Sequence, residues 1–126
     1  MTKVILSEDC GNSPKNILVQ DLTIALAKGD RKFIVSNVSD DVRWNIVGDK
    51  LIEGKEKVTG MLEQMKNDKA AELTIDHIAT HGKAGAANGT MKFKNGKTVA
   101  YCNVFEFSNT KGTSVKEIIS YEIEIN

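Results

Sequence analysis

Proline is nearly absent from this chain: Pro14 is the only one in 126 residues. No serine- or glycine-rich tract and no block of like charge divides the sequence, so a single domain over residues 1–126 is expected. Cysteine is scarce as well. Cys10 and Cys102 are too few for a disulfide framework, and their spacing fits no zinc motif. They read as small apolar fillers or exposed thiols. An excess of either charge is lacking, because 17 Lys and Arg balance 17 Asp and Glu. That balance excludes a global electrostatic pull toward nucleic acid or anionic membrane, and it removes charge repulsion between copies. No apolar run approaches the roughly 18 residues that span a bilayer. The stretch from Met1 to Leu6 has no signal-peptide core. A cytoplasmic protein, bound to neither membrane nor nucleic acid, is the expectation.

What is present is an ordered succession of periodic segments. Ser13-Pro14 is a helix start, with serine as cap and proline at the first helical position. Ile17, Leu18, Leu22, Ala25 and Leu26 follow at helical spacing, and Gly29 supplies the stop. Asp30 can cap a second short helix carrying Phe33, Ile34 and Val38. A third helix follows Gly54, with Val58, Met61, Leu62 and Met65 as its apolar stripe.

The remainder reads as strands. A short one, Val42 to Val47, lies between the second and third helices. In Glu72 to His81, regular alternation puts Leu73, Ile75, His77 and Ala79 on one face. Ala86 to Phe93 and Thr98 to Phe107 flank Asn95-Gly96, a tight-hairpin signal. Val99, Tyr101, Asn103, Phe105 and Phe107 share a face of the second of these. In Val115 to Ile125, Ile119, Tyr121, Ile123 and Ile125 fall together. The predicted class is α+β: a curved antiparallel sheet wrapped around three helices, in the order α-α-β-α-β-β-β-β. The other sheet face, with Ala100, Cys102, Val104, Ile118 and Ser120, is half apolar and suits pairing with a second copy.

This order resembles the cone fold of the nuclear transport factor 2-like superfamily, in its SnoaL-like branch. Ala27-Lys28-Gly29-Asp30 looks like the break between the first two helices. Trp44-Asn45-Ile46-Val47-Gly48 resembles the SnoaL-like strand motif, with Gly54 at the expected distance. Asn103-Val104-Phe105-Glu106-Phe107, then Gly112 and Val115 to Tyr121, looks like the paired last strands. The resemblance runs from Ser13 onward. It implies an interior pocket, in a superfamily that includes steroid isomerases, polyketide cyclases, dehydratases, epoxide hydrolases and members that only bind or dimerise. Ketosteroid isomerase uses an aspartate base with a tyrosine and a protonated aspartate as donors. Motif spacing puts those positions on Asn45, Leu22 and Asn103 here. An amide is no general base, so the isomerase mechanism is not carried over, though Asn103 can still donate a hydrogen bond. The Asp-Arg-Asp arrangement of the epoxide hydrolases has no match.

Several residues bear on chemistry. By strand parity His77 points inward with Leu73 and Ile75. It reads either as a core histidine bonded to a carbonyl or as an acid/base near neutral pH. His81 ends the same strand, roughly 13 Å from His77, so the two make no metal pair. No metal or cofactor is expected. Asn103, on an apolar face, needs partners or a wet cavity. Tyr101 and Tyr121 can present hydroxyls to the same interior. Trp44 and Asn45 point to opposite faces unless a bulge intervenes. Gly82, Gly85, Gly89 and Lys83 do not match a phosphate loop, and Lys92, Lys94 and Lys97 read as a solvated hairpin tip.

Three functions are compatible with these residues. The first is a homodimeric binding module whose pocket takes a small, largely apolar ligand, oriented by Asn103, Tyr121, His77 and Asn45, with Trp44 and Tyr101 beside them. The second is a cyclase, dehydratase or isomerase with His77 as acid/base and Asn103 and Tyr121 polarising a carbonyl. The third is a dimerisation domain without a ligand.

Overall fold

The computed structural model describes residues 2–7, 13–109 and 114–125. The readings of Cys10 and Gly112 lie outside them. The elements run β1 (Lys3–Leu6), α1 (Pro14–Lys28), α2 (Arg31–Ser36), β2 (Val38–Ile46), β3 (Lys50–Glu53), α3 (Lys55–Gln64), β4 (Glu72–His81), β5 (Ala84–Lys92), β6 (Thr98–Phe107) and β7 (Val115–Ile125).

The helix boundaries follow from capping chemistry. Ser13 accepts the Asn16 N–H at 3.2 Å, and Pro14 begins α1. Gly29, in the left-handed region, ends it. Asp30 accepts from the Phe33 N–H and starts α2. The Arg31 guanidinium pairs with Glu63 and ties α2 to α3. The Lys66 hydrogen bond and the nearby Arg31 charge hold the Glu63 carboxyl below its ordinary range. The buried face of α1 is Val19, Leu22, Thr23, Ala25 and Ala27, whereas Ile17 is exposed.

Seven strands form one curved, unclosed sheet in the order β1-β4-β5-β6-β7-β2-β3. The consecutive strands β4 to β7 are antiparallel neighbours, as short turns require. β1 pairs in parallel with β4, and β2 in parallel with β7. The edge strands β1 and β3 add two to the five expected from sequence; each has only four residues, too short for a period-2 pattern to stand out. α1 packs on β4 and β5, α3 on β2 and β3, and α2 bridges α1 and α3.

Two bulges decide which side chains face inward. Ile75 pairs with Gly89 but His77 pairs with Asn88, so Asp76 is an extra residue in β4. Beyond it the parity reverses. Ile78 and Thr80 take the inner positions, and His77, Ala79 and His81 turn outward, all three exposed. In β7, Glu117 pairs with Glu106 but Val115 pairs with Phe107, which makes Lys116 the extra residue. Val115, Ile118 and Ser120 are therefore buried, while Tyr121, Ile123 and Ile125 are exposed. The regular alternation read from the sequence fails at both points, because a single inserted residue moves every later side chain to the opposite face.

One end of the interior is solid. Phe105, Phe107, Ile118, Val42, Val19 and Ile34 are fully buried there. The other end, toward the β5–β6 hairpin, is hollow.

Candidate functional site

The hollow end is a cavity of about 820 Å³ that opens to solvent. Its walls come from α1, β2 and β4 to β7, and its mouth from segment 65–71, the 93–97 hairpin and Thr2. The volume falls within the range of small-molecule sites. Leu26, Leu73, Met91 and Phe93 supply the apolar lining. Four lysines, Lys66, Lys69, Lys94 and Lys97, stand with Asp68 around the mouth.

The polar lining is ordered by the sheet. Trp44 on β2 points inward and is buried; its indole N–H donates to Ser120 Oγ at 2.9 Å. Tyr101 on β6 donates to the Thr74 carbonyl at 2.9 Å. That bond crosses Gly89, the shared neighbour of Ile75 and Tyr101 in the ladder. A Cβ at Gly89 would lie 1.9 Å from the Thr74 oxygen, so only glycine leaves the passage open. Thr23 is occupied with the Val19 carbonyl at 2.7 Å, and Thr2 with the Ala70 carbonyl at 2.7 Å.

Asn103 differs from these. It is 7% exposed, lines the cavity, and its amide makes no hydrogen bond among the described residues. No buried side-chain polar atom among them is unsatisfied, so the amide of Asn103 reaches the cavity space rather than a sealed core. One step along the ladder stands Glu122, opposite Tyr101 as Ser120 is opposite Asn103. β2 pairs with β7 only as far as Ser120, so Glu122 is open on that side. Glu122 is exposed as a residue, yet partial desolvation of its carboxyl raises it above the ordinary glutamate range, while the charge of Lys97 pulls the other way.

Of the six ligand-binding residues read from the sequence, the structure brings together Trp44, Tyr101 and Asn103. The other three lie elsewhere. Asn45 pairs with Ile119 and with exposed Leu51 on the outer face, which assigns the inward position to Trp44. Tyr121 is displaced outward by the bulge at Lys116 and is 45% exposed. His77 is displaced outward by the bulge at Asp76, where Nδ1 donates to the Asn88 side-chain oxygen at 3.0 Å. Ser120 and Glu122 are the cavity residues that regular alternation misses. The signal was present: apolar residues three apart, Ile75 with Ile78 and Val115 with Ile118, mark an inserted residue within a strand. Cys102, the described cysteine, is a half-buried free thiol on the outer face. Among the described residues no group of His, Cys, Asp and Glu could hold a metal ion, and no helix is long and apolar enough to cross a membrane.

Residues 19–115 match the SnoaL-like domain family. No curated protein sequence matches the chain. Among solved structures, an NTF2-like protein of unknown function from Cytophaga hutchinsonii is similar at a TM-score of 0.70 and 23% identity, covering 85% of this chain and 97% of that one. A candidate SnoaL-like polyketide cyclase from Shewanella putrefaciens is similar at a TM-score of 0.72 and 15% identity, covering 89% and 82%. An LEH-like epoxide hydrolase from M. tuberculosis is similar at 0.66 and 20% identity, covering 84% and 82%. At these identities the likeness is one of fold.

Proposed function

We propose that this chain, which belongs to the SnoaL-like domain family, is a binding module that takes a small, largely apolar ligand into its interior cavity. The observation that carries this reading is Asn103: a buried residue whose amide has no hydrogen-bond partner among the described residues and faces an open cavity lined by both apolar and polar side chains. A core asparagine that served stability alone would be bonded to its neighbours, because an unmet buried amide costs about 1–3 kcal/mol. Solved structures of the same fold include a candidate SnoaL-like polyketide cyclase and an LEH-like epoxide hydrolase. The test is a thermal-shift screen of apolar ketones, amides and acids against the protein and against a Leu26→Trp variant that fills the cavity from its α1 wall. Stabilisation of the unaltered protein that the variant loses supports the reading; no stabilisation by any compound opposes it.

The module acts as a homodimer through the outer sheet face. Leu51, Val47, Tyr121 and Ile123 are exposed there. Ala79, Ala86, Val104, Ile119, Asn45 and Leu51 form one ladder row across six strands. A row of this extent, apolar except for Asn45, favours burial against another copy. Sedimentation of the protein should give a dimer that Ile123→Glu converts to monomer. A monomer at micromolar concentration without the substitution rules this arrangement out.

The enzymatic alternative loses its acid/base. His77 turns away from the cavity that Asn103 faces, so the pairing of those two groups on one substrate has no support here.

A further inference from the structure

The cavity's polar chemistry is uneven in a way that selects among ligands. Most of its buried donors are already committed. The Trp44 N–H goes to Ser120, the Tyr101 hydroxyl to the Thr74 carbonyl, the Thr23 hydroxyl to the Val19 carbonyl. Besides the Ser120 hydroxyl, which accepts from Trp44 and can still donate its proton, the wall groups with capacity to spare are Asn103 and Glu122. These two stand on adjacent antiparallel strands, diagonal to one another, since Asn103 is opposite Ser120 and Glu122 is opposite Tyr101. Diagonal neighbours on one face are about 7–8 Å apart at Cα, and side chains of this length converge on a group placed between them. The Asn103 amide can donate to a carbonyl, and the Glu122 carboxylate can only accept.

Charge narrows the choice further. Of the six acidic and lysine side chains around the cavity, Glu122 is the one carried on a strand; Lys66, Asp68, Lys69, Lys94 and Lys97 belong to the mouth segments. Lys66 is paired with Glu63 and Lys97 stands near Glu124, both in exposed pairs that screen these two lysines only in part. A cationic ligand must pass the lysines at the lip. An anionic ligand must settle against the carboxylate on the wall. A neutral ligand meets neither obstacle.

We propose that Asn103 and Glu122 together form a recognition pair for a neutral carbonyl compound with an adjacent hydrogen-bond donor, as in a carboxamide or lactam. Asn103 donates from Nδ2 to the ligand carbonyl. Glu122 accepts the neighbouring N–H. The apolar body of the ligand lies against Leu73, Met91 and Leu26. This assignment rests on the cavity being a ligand site, and it adds the ligand class and a specificity residue that lies outside the residues read from the sequence.

The experiment is a titration followed through the emission of Trp44, the protein's one tryptophan, which lines the cavity. Three probes share one apolar body: 4-butylbenzamide, methyl 4-butylbenzoate and 4-butylbenzoate. The amide should bind about tenfold more tightly than the ester, as a hydrogen bond to a charged acceptor implies. The benzoate should bind most weakly. Glu122→Ala should bring amide and ester to equal affinity, and Glu122→Gln should raise benzoate affinity. Asn103→Ala should weaken amide and ester alike, because both present a carbonyl. Equal binding of amide and ester to the unaltered protein overturns the recognition pair while leaving the cavity reading intact. Tightest binding by the benzoate overturns it too, and assigns selection to the lysines of the mouth. Failure of all three probes to bind removes the cavity reading and this inference with it.

Discussion

The Trp44 indole N–H donates to Ser120 Oγ at 2.9 Å, joining β2 to β7 where their parallel pairing reaches the cavity. Ser120→Ala leaves that donor without its partner on a residue that is only 3% exposed. A destabilisation of about 1–2 kcal/mol is expected, measured as a shift of the urea midpoint at unchanged slope. A shift within error would show that the bond contributes nothing to holding the two strands together.

Gly89→Ala tests the bulge in β4. The new methyl would meet the Thr74 carbonyl at 1.9 Å, and that contact is with backbone, which cannot rotate away. It also obstructs the Tyr101 hydroxyl on its way to the same oxygen. Urea unfolding should report a loss of at least about 2–3 kcal/mol, at the upper end for overpacking. A neutral outcome would mean that β4 and β5 run without the close approach described.

His77→Ala should be nearly silent. The imidazole is exposed and, among the described residues, bonded only to Asn88 on the outer face. Stability should change by less than about 0.5 kcal/mol, and probe binding followed at Trp44 should be unchanged. Loss of binding in this variant would place the ring back in the cavity.

Glu122→Gln carries a pH signature. Partial desolvation raises the carboxyl of the otherwise exposed Glu122 above its unfolded value in the folded state, so the folded protein holds that proton to higher pH than the unfolded chain. Stability from this group is fully present below the unfolded pKa and is lost as the pH rises through the folded one. Glutamine has no such loss. The variant should melt above the unaltered protein at pH 7, and the gap should close as the pH falls to about 4. A variant that melts lower at pH 7, with the gap closing in acid, would indicate a carboxylate stabilised by Lys97 rather than desolvated.

Much of the fold is legible in the order of residues alone. Ser13, Gly29, Asp30 and Gly54 bound the helices through local capping chemistry, and Asn95-Gly96 places the hairpin; neither needs tertiary information. The inward face of β6, from Val99 to Phe107, follows from simple alternation because that strand keeps its register with β5 throughout. The candidate site is only half legible, for a physical reason. Asn103 and Tyr101 sit on a strand of unbroken register with β5, and Trp44 keeps the parity of buried Val42 although β2 shifts register against β7 before Arg43, whereas Ser120, Glu122, Tyr121 and His77 lie downstream of residues that reverse the parity. A bulge is a tertiary compromise between neighbouring strands, and its sequence trace is no more than an apolar spacing of three. The four-residue strands β1 and β3 leave even less trace, since each gains its hydrogen bonds from β4 and β2 rather than from any pattern of its own.

The central claim is that the space beside Trp44, Tyr101 and Asn103 is kept open for a ligand. A crystal structure of the protein purified directly from cells, at a resolution that separates side chains from bound molecules, tests it most directly. The expected result is an open cavity holding an occupant whose polar end meets the Asn103 amide. An interior closed by Met91, Phe93 and Leu26, with the Asn103 amide bonded to the protein itself, would contradict it.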